Sequence, residues 1–448
     1  MTPVVLPQRM LRHASYALLL TSAAGCVSYN ERTEAALGDF ERGLFQAAEV
    51  GFVESLEDEG DFLSGAERGM VALTAGDWSG AVSRFTDAAE AVRDAEREAL
   101  VSPESAGELL TRWVINDTFT AYAGEGYERV MLHACLGMAY LALGELQDTL
   151  VEVRLANRLL ESEEELFETE YRAGGLGHFL SAIAYELRGD LSDAYIDYAR
   201  MAEKDLAPEV VGPALVRLAR ALGRTEAVEE WEGRYGEATP IHDGAANIVV
   251  LAGVGMGPFK QEARLTVPTE SGLLSWTVPD FVTRPQPVSR LELSDSVHDA
   301  SVSTVVIEDV SAVAEKNLSD RLAWLATRST VRTFLKRELR RELSDQHGEL
   351  GALVGDLFTL FSEQADLRAW STLPDSWQVA RMYVPTGPVD LTLSAPSGKI
   401  VPLGAYHLDP GETLFVIARS LGTSVHAHAI GGQPLEVVPE LPEEPSGS

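Results

Sequence analysis

The 448-residue sequence predicts an α+β chain in which an α-solenoid precedes a β-rich domain that carries an inserted helical hairpin. Three observations lead there. Glycine-centred helical windows recur in the first half, the apolar residues switch to short β-type blocks after Gly236–Gly244, and a long Arg/Leu-rich helical interval interrupts those blocks. A hydrophobic fraction of 45% with 23% charged residues belongs to a folded protein. The length allows two or three domains.

Residues 1–25 read as an export signal. Arg9, Arg12 and His13 precede a short apolar run, and the small residues Ala23, Ala24 and Gly25 stand directly before Cys26. A cysteine in that place resembles a lipobox, with Cys26 as the lipidation site. Leucine is the commoner residue where Ala23 stands, and an ordinary secretory signal with an incidental cysteine is the alternative. The apolar run is about half of the roughly 20 residues a spanning helix needs. Val27, rather than aspartate, after the cysteine points to the outer membrane, and Met10 offers a second start.

Residues 26–236 form the predicted solenoid. Gly76 is followed at +5, +9 and +12 by Ala81, Phe85 and Ala88; Gly144 by Thr149, Val153 and Ala156; Gly189 by Ala194, Tyr198 and Met201. These offsets resemble the tetratricopeptide pattern, two antiparallel helices meeting at a tight turn. Glycine suits the turn, a small residue at +5 allows close approach, and a larger one at +9 fills the space beside it. Gly223, Val228 and Trp231 form a weaker fourth unit, and Gly38 with Phe40 is the candidate start of a degenerate first one. The step of 45 residues from Gly144 to Gly189 exceeds the 34 from Gly189 to Gly223 and implies an insertion. An unrelated array of α-hairpins is the alternative. Either array predicts a curved surface for a protein or peptide partner.

Residues 245–436 form the second predicted unit, an antiparallel β region with a helical insertion at about 312–365. Its strand candidates are NIVVLAGVG, EARLTVP, LLSWTVP, SRLEL and STVVIEDV before the insertion, and WQVARMYVP, VDLTLSAP, ETLFVIARS and TSVHAHAIGG after it. Residues 437–448 are an acidic, Pro-rich tail read as disordered.

The charge excludes one class of partner. The formal net charge is −33, and loss of Arg9 and Arg12 with the signal takes it to about −35. Such a surface repels phosphate backbones, so no nucleic-acid partner is expected. With Cys26 acylated, Cys135 has no disulfide partner and reads as a buried apolar residue.

Candidate chemistry is sparse. GVGMGPFK (Gly253–Lys260) lacks the helix that a phosphate cradle needs and reads as strand–turn–strand. His426 and His428 share one face of a strand without a third metal ligand at a telling spacing, so no metal is assigned. No cofactor and no catalytic residue is assigned either, and no enzyme activity is expected. A basic helix spans Lys316 to Arg341, with Arg321, Arg328 and Arg332 on one face; it matches the acidic repeat surface, an anionic headgroup or an acidic partner. Arg368, Trp370, Leu373 and Pro374 crowd a short connection that either locks the insertion to the next strand or forms a partner-binding patch.

Five segments together, GCVSY, YERVMLHACLGMAYLALG, AYIDYARM, VLAGVGMGPFKQEARLTVP and QADLRAWSTLPDSWQVAR, resemble a family of bacterial TPR-containing outer-membrane lipoproteins. The resemblance implies an exported lipoprotein on the periplasmic face of the outer membrane, with this helical-then-β arrangement and no catalytic residues to carry over. Thr149 departs from the repeat pattern, where alanine is usual. The function expected is an interaction scaffold or assembly factor, with regulation of an envelope or peptidoglycan synthesis complex as a special case. The alternative is an envelope enzyme or ligand-binding protein with its site between the helical hairpin and the β region.

Overall fold

The computed structural model describes residues 28–57, 61–101, 122–239, 241–269, 272–328 and 365–435. The first half is a stack of helical hairpins: α1 (Tyr29–Glu41) with α2 (Phe45–Ser55), α3 (Asp61–Ala75) with α4 (Trp78–Val101), α5 (Gly126–Ala142) with α6 (Leu146–Phe167), α7 (Gly175–Arg188) with α8 (Leu191–Glu203), and α9 (Pro208–Ala221) with α10 (Thr225–Tyr235). Each turn holds a glycine at positive φ: Gly43, Gly76, Gly144, Gly189 and Gly223, all between 67° and 80°. A side chain there would strain the backbone. The residues at +5, +9 and +12 from Gly76, Gly144 and Gly189 are all fully buried. Thr149 fits because its hydroxyl donates to the Glu145 carbonyl at 3.1 Å, within the helix itself.

The first unit turns at Gly43, with Ala48 and Phe52 buried at +5 and +9, whereas Gly38 lies inside α1. The start expected at Gly38 is thereby corrected. The long step to Gly189 is taken up by α6, which runs 22 residues, and by the loop that follows it.

The strands are β1 (Ala246–Val254), β2 (Phe259–Thr269), β3 (Gly272–Val282), β4 (Glu292–Asp295), β5 (Ala300–Ser303), β6 (Val305–Asp309), β7 (Ser376–Val384), β8 (Gly387–Ser394), β9 (Ile400–Leu408), β10 (Thr413–Leu421), β11 (Ser424–Ile430) and β12 (Gln433–Pro434). One sheet has the order β11-β10-β1-β7-β6 and a second β12-β9-β8-β4-β5, while β2 and β3 make a separate hairpin. The expectation of an antiparallel region needs correcting, because β1 runs parallel to β10. Its nine residues are all buried, which explains its unbroken apolar run. β5, β9 and the two-residue β12 have no counterpart among the sequence blocks. Helix α11 (Val310–Arg328) follows β6 directly. The remainder of the expected insertion, the tail, the signal and Cys26 lie outside the described residues.

The three layers are solenoid, first sheet and second sheet. Val249, Leu251, Trp377, Val379, Phe415 and Ile417 belong to the core shared with the helices. The alternate residues Ile248, Val250, Ala380, Met382, Leu414 and Val416 belong to the core between the sheets. Period-two alternation thus divides the central strands between two cores.

Candidate functional site

The inner face of the solenoid is covered by the chain's own second half. Residues Ala365–Asp375 cross it as an irregular stretch that turns at Ser371–Thr372, and two buried glutamates receive peptide N–H groups from it. Ser371 and Thr372 donate to Glu67 at 2.6 and 2.9 Å, and Trp370 donates to Glu128 at 2.7 Å. The Tyr29 hydroxyl adds a third bond to Glu67 at 2.8 Å, and Tyr122 donates to Glu128 at 2.6 Å. Trp370 packs edge-on against Phe85, with ring centroids 5.8 Å apart.

This arrangement bears on the partner-binding patch. Trp370, Leu373 and Pro374 are buried, and Arg368 is held by Asp366 at 2.7 Å beneath the Tyr122 ring. Their contacts are with repeats of their own chain, which favours the locking role among the described residues.

A charged cluster surrounds the lock. Lys260 Nζ lies 2.6 Å from Glu125, which also receives Arg321 of α11 at 3.0 Å, and donates to the Arg368 carbonyl at 2.9 Å. Burial, reinforced by the Glu125 charge, lifts the Glu128 carboxyl to about 7. The basic face of α11 thus meets acids of the repeats, and Lys316 pairs with Asp320 on its own helix. Arg328 and the basic residues beyond it carry no described side chain. Glu308, at the end of β6, caps the N-terminus of α7 by accepting from Gly174 and Leu176 at 3.1 and 3.2 Å. Burial outweighs those bonds and lifts it to about 7. Further along, Arg381 and Arg217 converge on Glu186; against the opposing effect of burial, the two guanidiniums hold its carboxyl at about 2.

Of these shifted carboxyls, Glu308 alone borders the cavity between α5, α6 and α11, which is lined also by Glu163 and Asn317 and measures about 10 Å³ among the described residues, room for about one water.

The glycine loop between β1 and β2 carries no anion cradle. The Gly253 and Gly255 carbonyls face the buried Arg419 guanidinium. The N–H groups of Gly255, Met256 and Gly257 are taken by Ser420, Gln286 and Leu373. Burial without a carboxylate partner lowers Arg419 to about 9. Cys135 is buried in the same core, and its thiol is pushed far up by burial, which makes it inert as a nucleophile.

His426 and His428 do share a face, and that face meets the solenoid. Each ring sits over a turn glycine: a Cβ on Gly43 would lie 2.7 Å from His426, and one on Gly76 would lie 2.7 Å from His428. His428 Nε2 lies 3.0 Å from the Thr74 carbonyl, and Phe45 and Trp78 flank the two rings. Alternate residues of one strand therefore seat on successive helical turns. Among the described residues, no three His, Cys, Asp or Glu side chains gather to hold a metal, and no helix is long and apolar enough to cross a membrane.

The described residues also form larger concavities at the surface. One, of about 460 Å³, runs between α6 and α8 over α7, with Arg154, Arg158, His178 and Asp197 on its walls. Its His178–Asp197 pair, at 2.8 Å, repeats the His133–Glu152 pair of the preceding hairpin at 2.6 Å. Another, of about 900 Å³, opens where α9, β5 and β7 meet. Val50, Val151 and Ile196 stand at +7 from their turn glycines, and all three are large apolar side chains left exposed.

No protein-family profile matches the chain, and no curated protein does. Solved structures that resemble part of it include the MamA protein, 12% identical over 47% of this chain and 97% of that one, with a TM-score of 0.30. Another is TTC0263, a thermophilic TPR protein of Thermus thermophilus, 16% identical over 46% and 90%, with a TM-score of 0.26. The type IV pilus biogenesis factor PilW is 15% identical over 46% and 91%, with a TM-score of 0.24.

Proposed function

We propose that the protein is an exported lipoprotein, tethered through Cys26 to the periplasmic face of the outer membrane, that acts as a protein–protein interaction scaffold. The observation that carries the scaffold reading is the repetition of exposed β-branched residues at one position of three hairpins, Val50, Val151 and Ile196. The same position holds Ser83 in the second hairpin and Glu230 in the fifth; packing does not require apolar side chains there, and Val151 and Ile196, on adjacent hairpins, offer a solenoid surface suited to another protein. With the inner face filled, partners reach the outer helices and the junction with the β layers.

The lipid tether rests on the sequence order ending at Cys26, and multiple acyl chains would hold it firmly. Two measurements test the reading. Intact mass of the membrane-extracted protein should give a mature start at Cys26 with added acyl mass; a soluble chain starting elsewhere removes the tether. Cross-linking in envelope extracts should recover a protein partner that is lost when Val151 and Ile196 are changed to lysine. Recovery of none, or of the same set from both chains, removes the scaffold role of that face.

A further inference from the structure

The first sheet ends short of the layers that enclose it. Asn247 donates its N–H to the Glu412 carbonyl, 2.8 Å away on the β10 side of β1. Peptide groups alternate sides along a strand, so those of Ile248, Val250 and Ala252 face β7. Their partners across the pair are Met382, Ala380 and Gln378. The peptide groups of Arg381 and Tyr383 therefore point to the opposite edge of β7. There β6 pairs only with Ser376–Val379, and at Thr304 the chain bends away so that β5 joins the second sheet. Among the described residues no strand pairs with β7 beyond Val379 on that side.

The space beside this edge is the 900 Å³ cleft. Its walls are those a sheet strand would have. Val210, Pro213 and Ala214 of α9 stand on the solenoid side, and Ser301, Val302 and Ser303 of β5 on the side of the second sheet. At its floor Arg217 and Arg381 share the carboxylate of Glu186; Arg381 is further engaged by Asn247 and Tyr198, so Arg217, whose side chain keeps 26% of its surface exposed, is the guanidinium that faces the cleft, with Glu209 and Asp243 elsewhere on its lining. The Tyr383 hydroxyl is also buried without a hydrogen-bond partner among the described residues.

We propose that this cleft binds an extended segment of a partner protein as an added strand of the first sheet beside β7, with a carboxylate of that segment on Arg217. Backbone pairing to Arg381 and Tyr383 supplies affinity without sequence preference, aliphatic side chains on one face of the segment meet Val210, Pro213 and Ala214, those on the other meet the Ser301 and Ser303 wall, and the carboxylate fixes the end of the strand. The proposal names the partner chemistry for the scaffold reading and rests on it, but its test is independent of the tether and of the outer helices.

The probe is a fluorescein-labelled peptide of alternating threonine and valine with a free C-terminal carboxylate, titrated against the full chain by anisotropy. Saturable binding is expected, weakened about tenfold by C-terminal amidation or by Arg217→Gln, and abolished by N-methylation of alternate peptide nitrogens or by Ser303→Trp. Hydrogen exchange supplies a second readout: the Arg381 and Tyr383 amides should exchange freely in the chain alone and slow on peptide addition. No binding, binding indifferent to N-methylation, or amides already protected in the chain alone would overturn the added strand. Binding indifferent to amidation and to Arg217→Gln would overturn the carboxylate floor. If the strand fails while cross-linking still recovers a partner, the scaffold reading stands without this site.

Discussion

Lys260 Nζ lies 2.6 Å from Glu125 Oε1, and neither side chain keeps more than 3% of its surface in water. The pair joins the β2–β3 hairpin to the start of α5, so that a covalently distant β element is fixed to the solenoid by charge. Removing Lys260 leaves the buried Glu125 with Arg321 as its remaining cation, whereas replacing both members of the pair with apolar groups removes their desolvation cost but takes a carboxylate from Arg321. Lys260→Met should therefore cost up to about 3–5 kcal/mol in urea unfolding, and the Lys260→Met/Glu125→Leu double variant should recover part of it. A single variant as stable as the parent chain would show that the pair does not hold the halves together.

Stability should vary with pH in a way set by three glutamates. Glu128 and Glu308 bind protons more tightly when folded, at about 7 against an ordinary 4.5. Their contribution is fully present below 4.5 and is lost as pH rises through 7. Glu186, lowered to about 2, works in the opposite sense, since its contribution is present above 4.5 and lost as pH falls toward 2. His426, lowered by burial and by His428, adds stability above its ordinary 6.5 that is lost on acidification. The variant Glu308→Gln isolates one member. The difference in Tm between the parent chain and this variant should move against the parent between pH 6 and pH 8.5. A difference constant over that range would contradict the raised carboxyl.

The turn glycines separate backbone strain from docking. Gly189 and Gly76 share a positive φ near 80°, but a Cβ meets nothing within 4 Å at Gly189 and the His428 ring at Gly76. Gly189→Ala should cost about 1–2 kcal/mol from backbone strain alone. Gly76→Ala should cost about 1–3 kcal/mol more from overpacking, and His428→Ala should erase most of that excess when added to Gly76→Ala but not when added to Gly189→Ala. Equal costs for the two glycine variants would mean that β11 does not press on the turn.

The repeat was legible because its marks are local: a left-handed turn selects glycine, and close helices select small residues at fixed offsets. The first hairpin escaped because Ser55 stands at +12 from Gly43 and because Gly38, a helix-interior glycine, offers a false start. Alternation placed His426 and His428 on one face but could not say what covers it. Glu67, Glu128 and Glu308 were illegible for a different reason. They are three of 69 acids, and only the crossing of distant segments makes them acceptors for buried peptide groups. The segment around Trp370 favoured a lock over a patch without excluding either, since its composition suits both and its contact with Phe85 comes from the far end of the chain.

Trp370 provides the last test. Its ring is buried against Phe85, its indole N–H donates to Thr372 at 3.0 Å, and its peptide N–H reaches Glu128. Trp370→Ala removes a large buried aromatic and should cost about 3–5 kcal/mol. Arg368, 17% exposed and paired with the part-buried Asp366, should cost less than Trp370 when changed to alanine, about 1–3 kcal/mol. The two roles weighed for this segment thus predict different outcomes. A lock loses stability through Trp370 and less through Arg368, whereas a partner patch loses binding through both while the melting of the free chain stays unchanged. Urea unfolding of the two variants, with intrinsic tryptophan emission as the probe of burial in the parent chain, distinguishes them.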